Sequence, residues 1–340
     1  IAQCLVGSEM CIRDRYKTVL KSKTSESICT DLKKLGYSTH AVHNNEATFY
    51  GRNTVFSNIG FDTFCSMEYM NGLTDSPNGW SNDDVLSREI MKTLDSTSGP
   101  DFTMAITVQS HGKYDGIALD DPTIKVTGAP EGKEQAYEYY VNEIHEVDRM
   151  IDTLIKELSN RKEETVLVLY GDHLPSLDIQ KDDLSNANLY QTQYVVWDNM
   201  NLKKKTKNLH AYQLYAEVLD RIQIHEGMIT KYHQQTKHRS KLYLTGLTTL
   251  SYDLLYGDNY AYDGKNPFKQ TELQMGTEPV KLTSVQKTKS GYRVVGSGFT
   301  PYCKVYYDGT LVESEWISSE CLQLQDAVSY THLTLPTTSR

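Results

Sequence analysis

The chain has 340 residues, 39% of them hydrophobic and 23% charged, which is enough for one large and one small domain of ordinary globular composition. Its net charge of −9 and pI near 5.6 leave no basic face to follow a nucleic-acid backbone. The run Lys203-Lys204-Lys205-Thr206-Lys207 reads as a solvated loop. No apolar run reaches the roughly 18–20 residues that cross a bilayer. The six cysteines show no metal-type spacing and no disulfide framework. Residues 1–15 and 326–340 share no periodicity with their neighbours and are set aside as an artefactual leader and tail.

In chain order, a helix is expected over 25–35, with Leu32 and Leu35 on its apolar face and Gly36 as its stop. A strand over 37–42 then leads into a polar loop, His43 to Arg52. A helix over 83–94 and an apolar strand over 102–108 follow, the strand ending in Gln109-Ser110-His111-Gly112. The longest helix is expected over 134–159, where apolar residues such as Tyr140, Ile144, Ile151 and Leu158 recur at three- and four-residue spacing.

The run Val166–Leu169 is continuously apolar, as suits a parallel strand buried on both faces. Gly171 frees the backbone at its carboxyl end, where open α/β sheets place ligands. Asp172 and His173 follow, an anionic oxygen beside an imidazole nitrogen, which is a donor pair suited to Zn²⁺ or Mn²⁺. A strand over 193–197 and a helix over 210–222 come next.

This alternation predicts an α/β domain with a mainly parallel sheet flanked by helices. Three strand ends carry His43, His111 and Asp172-His173, and such ends can converge on one crevice. Beyond 278, short strand candidates at 279–284, 292–296, 304–307 and 310–316 are separated by glycine turns. They predict a small C-terminal β-sandwich-like module. The expected division is 16–265 for the α/β domain, 266–278 for a linker and 279–325 for the module.

Five motifs occur in order: HNNEATFYGR at 43–52, GFDTF at 60–64, TVQSH ending at His111, YGDH at 170–173 and QTQYVVWDN at 191–199. Together they resemble the lipoteichoic acid synthase family of phosphoglycerol transferases, sulfatase-like members of the alkaline phosphatase superfamily. The stretch 291–309 is similar to immunoglobulin-like IPT/TIG modules.

The resemblance implies one divalent metal, usually manganese, held by a glutamate, a nucleophilic threonine and an Asp-His pair, the last matched by Asp172 and His173. Such a metal lowers the hydroxyl's pKa and offsets phosphoryl charge. His43, Asn45, Phe49, Tyr50 and Arg52 match the substrate pocket. The planar fork of arginine suits two phosphate oxygens. His111 matches a histidine that binds the substrate phosphate or protonates the leaving alkoxide.

The family's glutamate and threonine lie upstream of the His43 loop. Thr18, Thr24 and Thr30 lead into or occupy a helix and match no nucleophile motif. The chain is therefore expected to be an N-terminally truncated, inactive fragment of an extracytoplasmic, membrane-attached enzyme. That parent would transfer glycerol phosphate from a phosphatidylglycerol-like lipid donor to a polyglycerophosphate or glycan acceptor. The alternatives are a sulfatase or phosphodiesterase of the same superfamily, or a degenerate, non-catalytic wall-binding protein. His40, His145, His210, His225, His233 and His238 match no motif and carry no assigned function.

Overall fold

The computed structural model describes residues 18–324 apart from 239 and 290, together with the backbone of Leu333–Thr334. The expected leader and nearly all of the expected tail lie outside the described residues, as do Cys4 and Cys11. The chain divides into two compact units. The first comprises the described parts of residues up to 71, 92–105 and from 206 onward; the second comprises 72–91 and 106–205.

The first unit opens with α1 (Ile28–Lys33), shorter than expected because the chain is capped at Ser27. The Ser27 hydroxyl accepts from the Cys29 and Thr30 amides, and Thr30 returns the bond to the Ser27 amide, a reciprocal capping box. Gly36, at φ 85°, stops the chain from continuing as a helix. Leu32 is buried, but Leu35 is 45% exposed, so the expected apolar face holds at one position and fails at the other.

β1 (Ser38–His43), α2 (Arg52–Asn58) and β2 (Thr63–Ser66) follow. The helix α3 (Val85–Asp95) then leads to β3 (Asp101–Ile106), and both lie close to where the sequence places them. The four-stranded sheet has the order β3-β1-β2-β6, with β6 formed by Gln274–Met275. β1 runs parallel to β2, and β2 parallel to β6. The stretch read as a linker is thus part of this sheet: Thr271 donates its amide to the Ser57 carbonyl and Gln274 donates to that of Asp62. His40 ties the strands laterally, 2.8 Å from Thr63 Oγ1 through Nδ1 and 3.1 Å from Asp101 Oδ1 through Nε2. Phe56, Phe61 and Phe64, all at 2% exposure or less, fill the space beneath.

The second unit contains α4 (Glu134–Asn160), β4 (Val166–Tyr170) and β5 (Tyr194–Asp198). β4 does not join the parallel sheet. It pairs antiparallel with β5 in a two-stranded sheet, from Val166 opposite Asp198 to Tyr170 opposite Tyr194. Val166–Leu169 are half-buried and Tyr170 is exposed, so the apolar run is not buried on both faces. On α4 the buried positions include Ala136, Tyr139, Glu143, Met150 and Leu154, while Ile144 is 40% exposed. The core-facing stripe keeps Leu154 and Leu158 of the expected one but departs from it in the N-terminal half, where it takes in a tyrosine and a glutamate.

Back in the first unit, α5 (Leu214–Arg221) lies inside the predicted helix; α6 (Met228–Gln235) and α7 (Leu242–Leu255) were not anticipated. Tyr212, Ile229, Tyr243, Leu247 and Leu254 form their shared core. The C-terminal strands are β7 (Lys281–Thr288), β8 (Gly291–Ser297), β9 (Val305–Tyr307), β10 (Thr310–Val312), β11 (Ser314–Ser318), β12 (Cys321–Leu324) and β13 (Leu333–Thr334). They make a β11-β12-β8-β7 sheet and a β10-β9-β13 sheet around Val294, Phe299, Val305, Leu322 and Leu324. This is the β-sandwich-like module expected from the sequence.

Candidate functional site

The expected site residues fall into two groups, one in each unit. In the first unit, His43 is the last residue of β1, paired in register with Ser66, and is 1% exposed. It belongs to the strand rather than to the polar loop, because the ladder to β2 continues through it. Asn45 holds the following turn by accepting the Glu46 amide on Oδ1 at 2.7 Å and the Met67 amide on its carbonyl at 3.2 Å.

The chain then reverses through Tyr50 and Gly51, both left-handed at φ 59° and 71°, before α2 begins at Arg52. A tyrosine at positive φ is uncommon and marks a constrained turn. Phe49 and Tyr50 are 39% and 44% exposed, with ring centroids 4.3 Å apart. The Arg52 guanidinium carbon lies 5.3 Å and 5.5 Å from these two rings, and Nη1 is 3.5 Å from the Phe49 carbonyl. Two mutually tilted rings thus flank a half-buried cation whose planar fork is able to receive an oxyanion.

Lys21 belongs to this group although no motif marks it. A Cβ added at Gly51 would meet Lys21 Cε at 3.0 Å, so the glycine admits a second cationic side chain beside Arg52. No local motif links residues thirty apart.

In the second unit, His111 and His173 are brought together, their ring centroids 6.3 Å apart and nearly perpendicular. Each ring is tethered in the same way. His111 Nδ1 lies 2.8 Å from the Gly112 carbonyl, and His173 Nδ1 lies 2.7 Å from the Leu174 carbonyl. A carbonyl only accepts, so each Nδ1 carries the proton and each Nε2 keeps its lone pair for another partner.

The loop beneath His111 is braced from several sides. The buried Asp83 carboxylate accepts the Val108 and Gln109 amides, and Gln109 Oε1 accepts the Asp83 amide at 2.8 Å. Trp80 Nε1 donates to the Gly112 carbonyl, and Asn78 Nδ2 donates to that of His111. Gly112 has no room for a side chain, since its Cβ would lie 2.1 Å from Ser176 Oγ. Glu143, inside this platform, has its carboxyl pushed up by burial, partly offset by a hydrogen bond from Gln109.

Asp172 and His173 sit on an exposed loop, with side chains 81% and 64% accessible and Asp172 Oδ1 3.7 Å from His173 Nε2. Gly171 is not in a left-handed conformation, and a Cβ there would meet Thr192 only at ordinary contact distance. The expected need for backbone freedom at this glycine is not met. The loop is instead held by Thr192 Oγ1 donating to the Gly171 carbonyl at 2.6 Å.

As metal donors, a carboxylate beside an imidazole with its Nε2 lone pair available is chemically suitable for a borderline divalent ion. Two donors make half a site. Among the described residues no cluster of three or more His, Cys, Asp or Glu is placed to hold a metal ion.

The sequence matches the Sulfatase family over residues 8–224. It is 31% identical over 197 residues to the "Putative cyclic beta-1,2-glucan modification protein" of Rhizobium meliloti (strain 1021), covering 53% of this chain and 30% of that protein. It is 24% identical over 199 residues to lipoteichoic acid synthase 2 of Bacillus subtilis (strain 168), covering 57% and 30%. The chain thus spans about 30% of the length of these curated relatives. In fold it is similar to the Streptococcus pyogenes phosphoglycerol transferase GacH in complex with sn-glycerol-1-phosphate. The TM-score is 0.54, the identity 20%, and the coverage 69% of this chain and 66% of that one. A family match over well more than half of the chain places it in the Sulfatase family.

Proposed function

We propose that this chain is part of a phosphoglycerol transferase that moves glycerol phosphate from a phosphatidylglycerol-like lipid to a cell-envelope polymer or glycan. The observation that carries the reading is the pair of tethered histidines with free Nε2 atoms, beside Asp172. Asp172 and His173 would supply two donors to a divalent ion, taken to be Mn²⁺, which supplies Lewis-acid stabilisation of phosphoryl charge when bound. His111 would bind the phosphate or protonate the departing alkoxide, for which a fixed tautomer is the main requirement. Arg52, beside the rings of Phe49 and Tyr50, would receive phosphate oxygens, with His43 and Asn45 shaping the strand end behind it. A threonine nucleophile and a glutamate ligand would come from outside the described residues, as would any membrane attachment. On this reading the 340-residue chain alone is inactive, and its C-terminal strands are an accessory IPT/TIG-like module.

A hydrolase reading, as sulfatase or phosphodiesterase, is favoured by the description of the matched family itself. One experiment separates the two. The longer parent protein is incubated with Mn²⁺ and phosphatidylglycerol bearing a labelled headgroup, with and without a β-glucan oligosaccharide. Transfer of label to the glycan, lost in Asp172→Asn, supports the transferase. Release of free glycerol phosphate alone, or cleavage of a sulfate ester, overturns it. Turnover by the 340-residue chain alone would overturn the placement of the nucleophile.

A further inference from the structure

Away from these residues, in the first unit, a cavity of about 430 Å³ opens between α5 and α6, within the size range of small-molecule sites. Its lining includes Lys207, Glu217, Asp220, His233, Thr236 and His238. His233 is 1% exposed and matched no sequence motif.

The proton on His233 can be placed by elimination. The His210 amide donates to Gln213 Oε1 at 2.9 Å, which fixes the orientation of that side-chain amide. Gln213 Nε2 therefore donates to the Tyr243 hydroxyl oxygen at 3.0 Å. The hydroxyl proton of Tyr243 then points to His233 Nδ1, 2.7 Å away. With Nδ1 accepting, the proton of a neutral ring must sit on Nε2. That atom is buried and has no hydrogen-bond partner among the described residues. Burial, with the nearby His238, pushes the ring's pKa down to about 4, so it stays neutral at physiological pH. An N–H buried without an acceptor is destabilising, and the adjoining cavity is where an acceptor can be supplied.

The rest of the lining narrows the ligand. An Nε2 that carries a proton cannot ligate a metal. Lys207 and Lys237 are matched in number by Glu217 and Asp220, and Lys207 is paired with Glu217, which Arg221 also approaches at 3.5 Å. No net charge therefore draws an ion in. The Gln234 amide is consumed by the Ala216 and Ile224 carbonyls and by His225. The rest of the lining is the neutral His233 ring, the Thr236 hydroxyl, the second nitrogen of His238, Lys237, and Asp220, whose Oδ1 lies 3.8 Å from His225 Nδ1. We infer that this cavity is a saccharide-binding site for one or two neutral sugar rings, with His233 Nε2–H donating to a ring or hydroxyl oxygen. The inference rests on the proposed function only where it identifies the sugar as part of a glycan acceptor; binding itself does not require transfer.

The test is imidazole ¹⁵N NMR on the full 340-residue chain, with the disaccharide sophorose and inorganic phosphate as probes. At pH 7 the His233 signals should show a protonated Nε2 and an accepting Nδ1, and sophorose should shift the Nε2 signal saturably. His233→Phe keeps the ring packing but should weaken sophorose binding about tenfold or more, in line with loss of a buried hydrogen bond. Thr236→Trp, at a half-exposed rim position, should block binding while leaving the melting temperature unchanged, which covers the case in which His233→Phe fails to fold. A proton on Nδ1, saturable shifts with phosphate but not sophorose, no saturable shift at all, or undiminished sophorose binding in the variants would overturn the site. None of these readouts involves transfer activity, so failure here is distinguishable from failure of the proposed function.

Discussion

His43 ends β1 and the Asp172–His173 pair follows β4, yet the two positions are built differently. His43 ends a strand inside the parallel sheet and is 1% exposed, with phenylalanines in the core below. Asp172 and His173 follow a two-stranded antiparallel pair and remain largely accessible, anchored by a tether to the Leu174 carbonyl and a bond at Gly171. A histidine in the core is positioned by packing and is costly to disturb; donors on a loop are positioned by a few hydrogen bonds and can be altered without unfolding the chain. The contrast predicts which substitutions report on stability and which on chemistry.

The largest effect should come from Phe64→Ala in the sheet, at about 3–5 kcal/mol by denaturant titration. Tyr170→Ala, in the two-stranded pair and 58% exposed, should stay within about 0.5 kcal/mol. Comparable losses at both would remove the distinction between the strands. Next is Gly112→Ala, whose methyl must displace Ser176; about 1–3 kcal/mol is expected. The same substitution should shift the His111 ring signals in NMR, while those of His43 stay in place.

A third test uses pH. Burial, reinforced by the neighbouring Glu26, holds the Asp31 carboxyl up to about 8, and burial raises Glu26 as well. The folded state keeps a proton that the unfolded chain has released, so stability falls as pH rises. The protonated carboxyl's contribution is complete below about pH 4 and is lost progressively up to about pH 8. Melting temperature should decline across that window in the wild type and flatten in Asp31→Asn; an unchanged slope would refute the assignment. The smallest stability effect is expected for Asp172→Asn, within about 0.5 kcal/mol. Even so, it should abolish the Mn²⁺-induced broadening of His173 signals that the wild type is expected to show.

Much of the α/β domain is legible in the sequence, because α3, α4, β1, β3, β4 and β5 are strongly patterned. The partner of β4 was not, since an apolar run of four residues fits a strand buried on either one or two sides. α7 was obscured by Gly246 and a cluster of threonines, which read as poor helix formers. A Cβ at that glycine would press on the Tyr232 hydroxyl, which would have to shift. β6 carries almost no signal of its own in two residues. At the candidate site, His111, Asp172 and His173 were readable as chemistry-bearing strand ends, and two of the rings prove to be neighbours. Lys21 was not readable, since only the fold brings it to Gly51. His233 was passed over because its role depends on Gln213 and Tyr243, residues with no motif value.

The parallel pairing of β6 with β2 has a consequence for how the chain can be divided. The family match ends at residue 224, but β2 gains its outer neighbour only at Gln274–Met275. Glu26, before α1, holds the amide of Ile229 and the hydroxyl of Tyr262. A boundary drawn where similarity fades would leave an open strand edge and a buried carboxylate stripped of its donors. During synthesis the sheet likewise cannot be completed until those late residues emerge, which makes the far end of the chain its clasp.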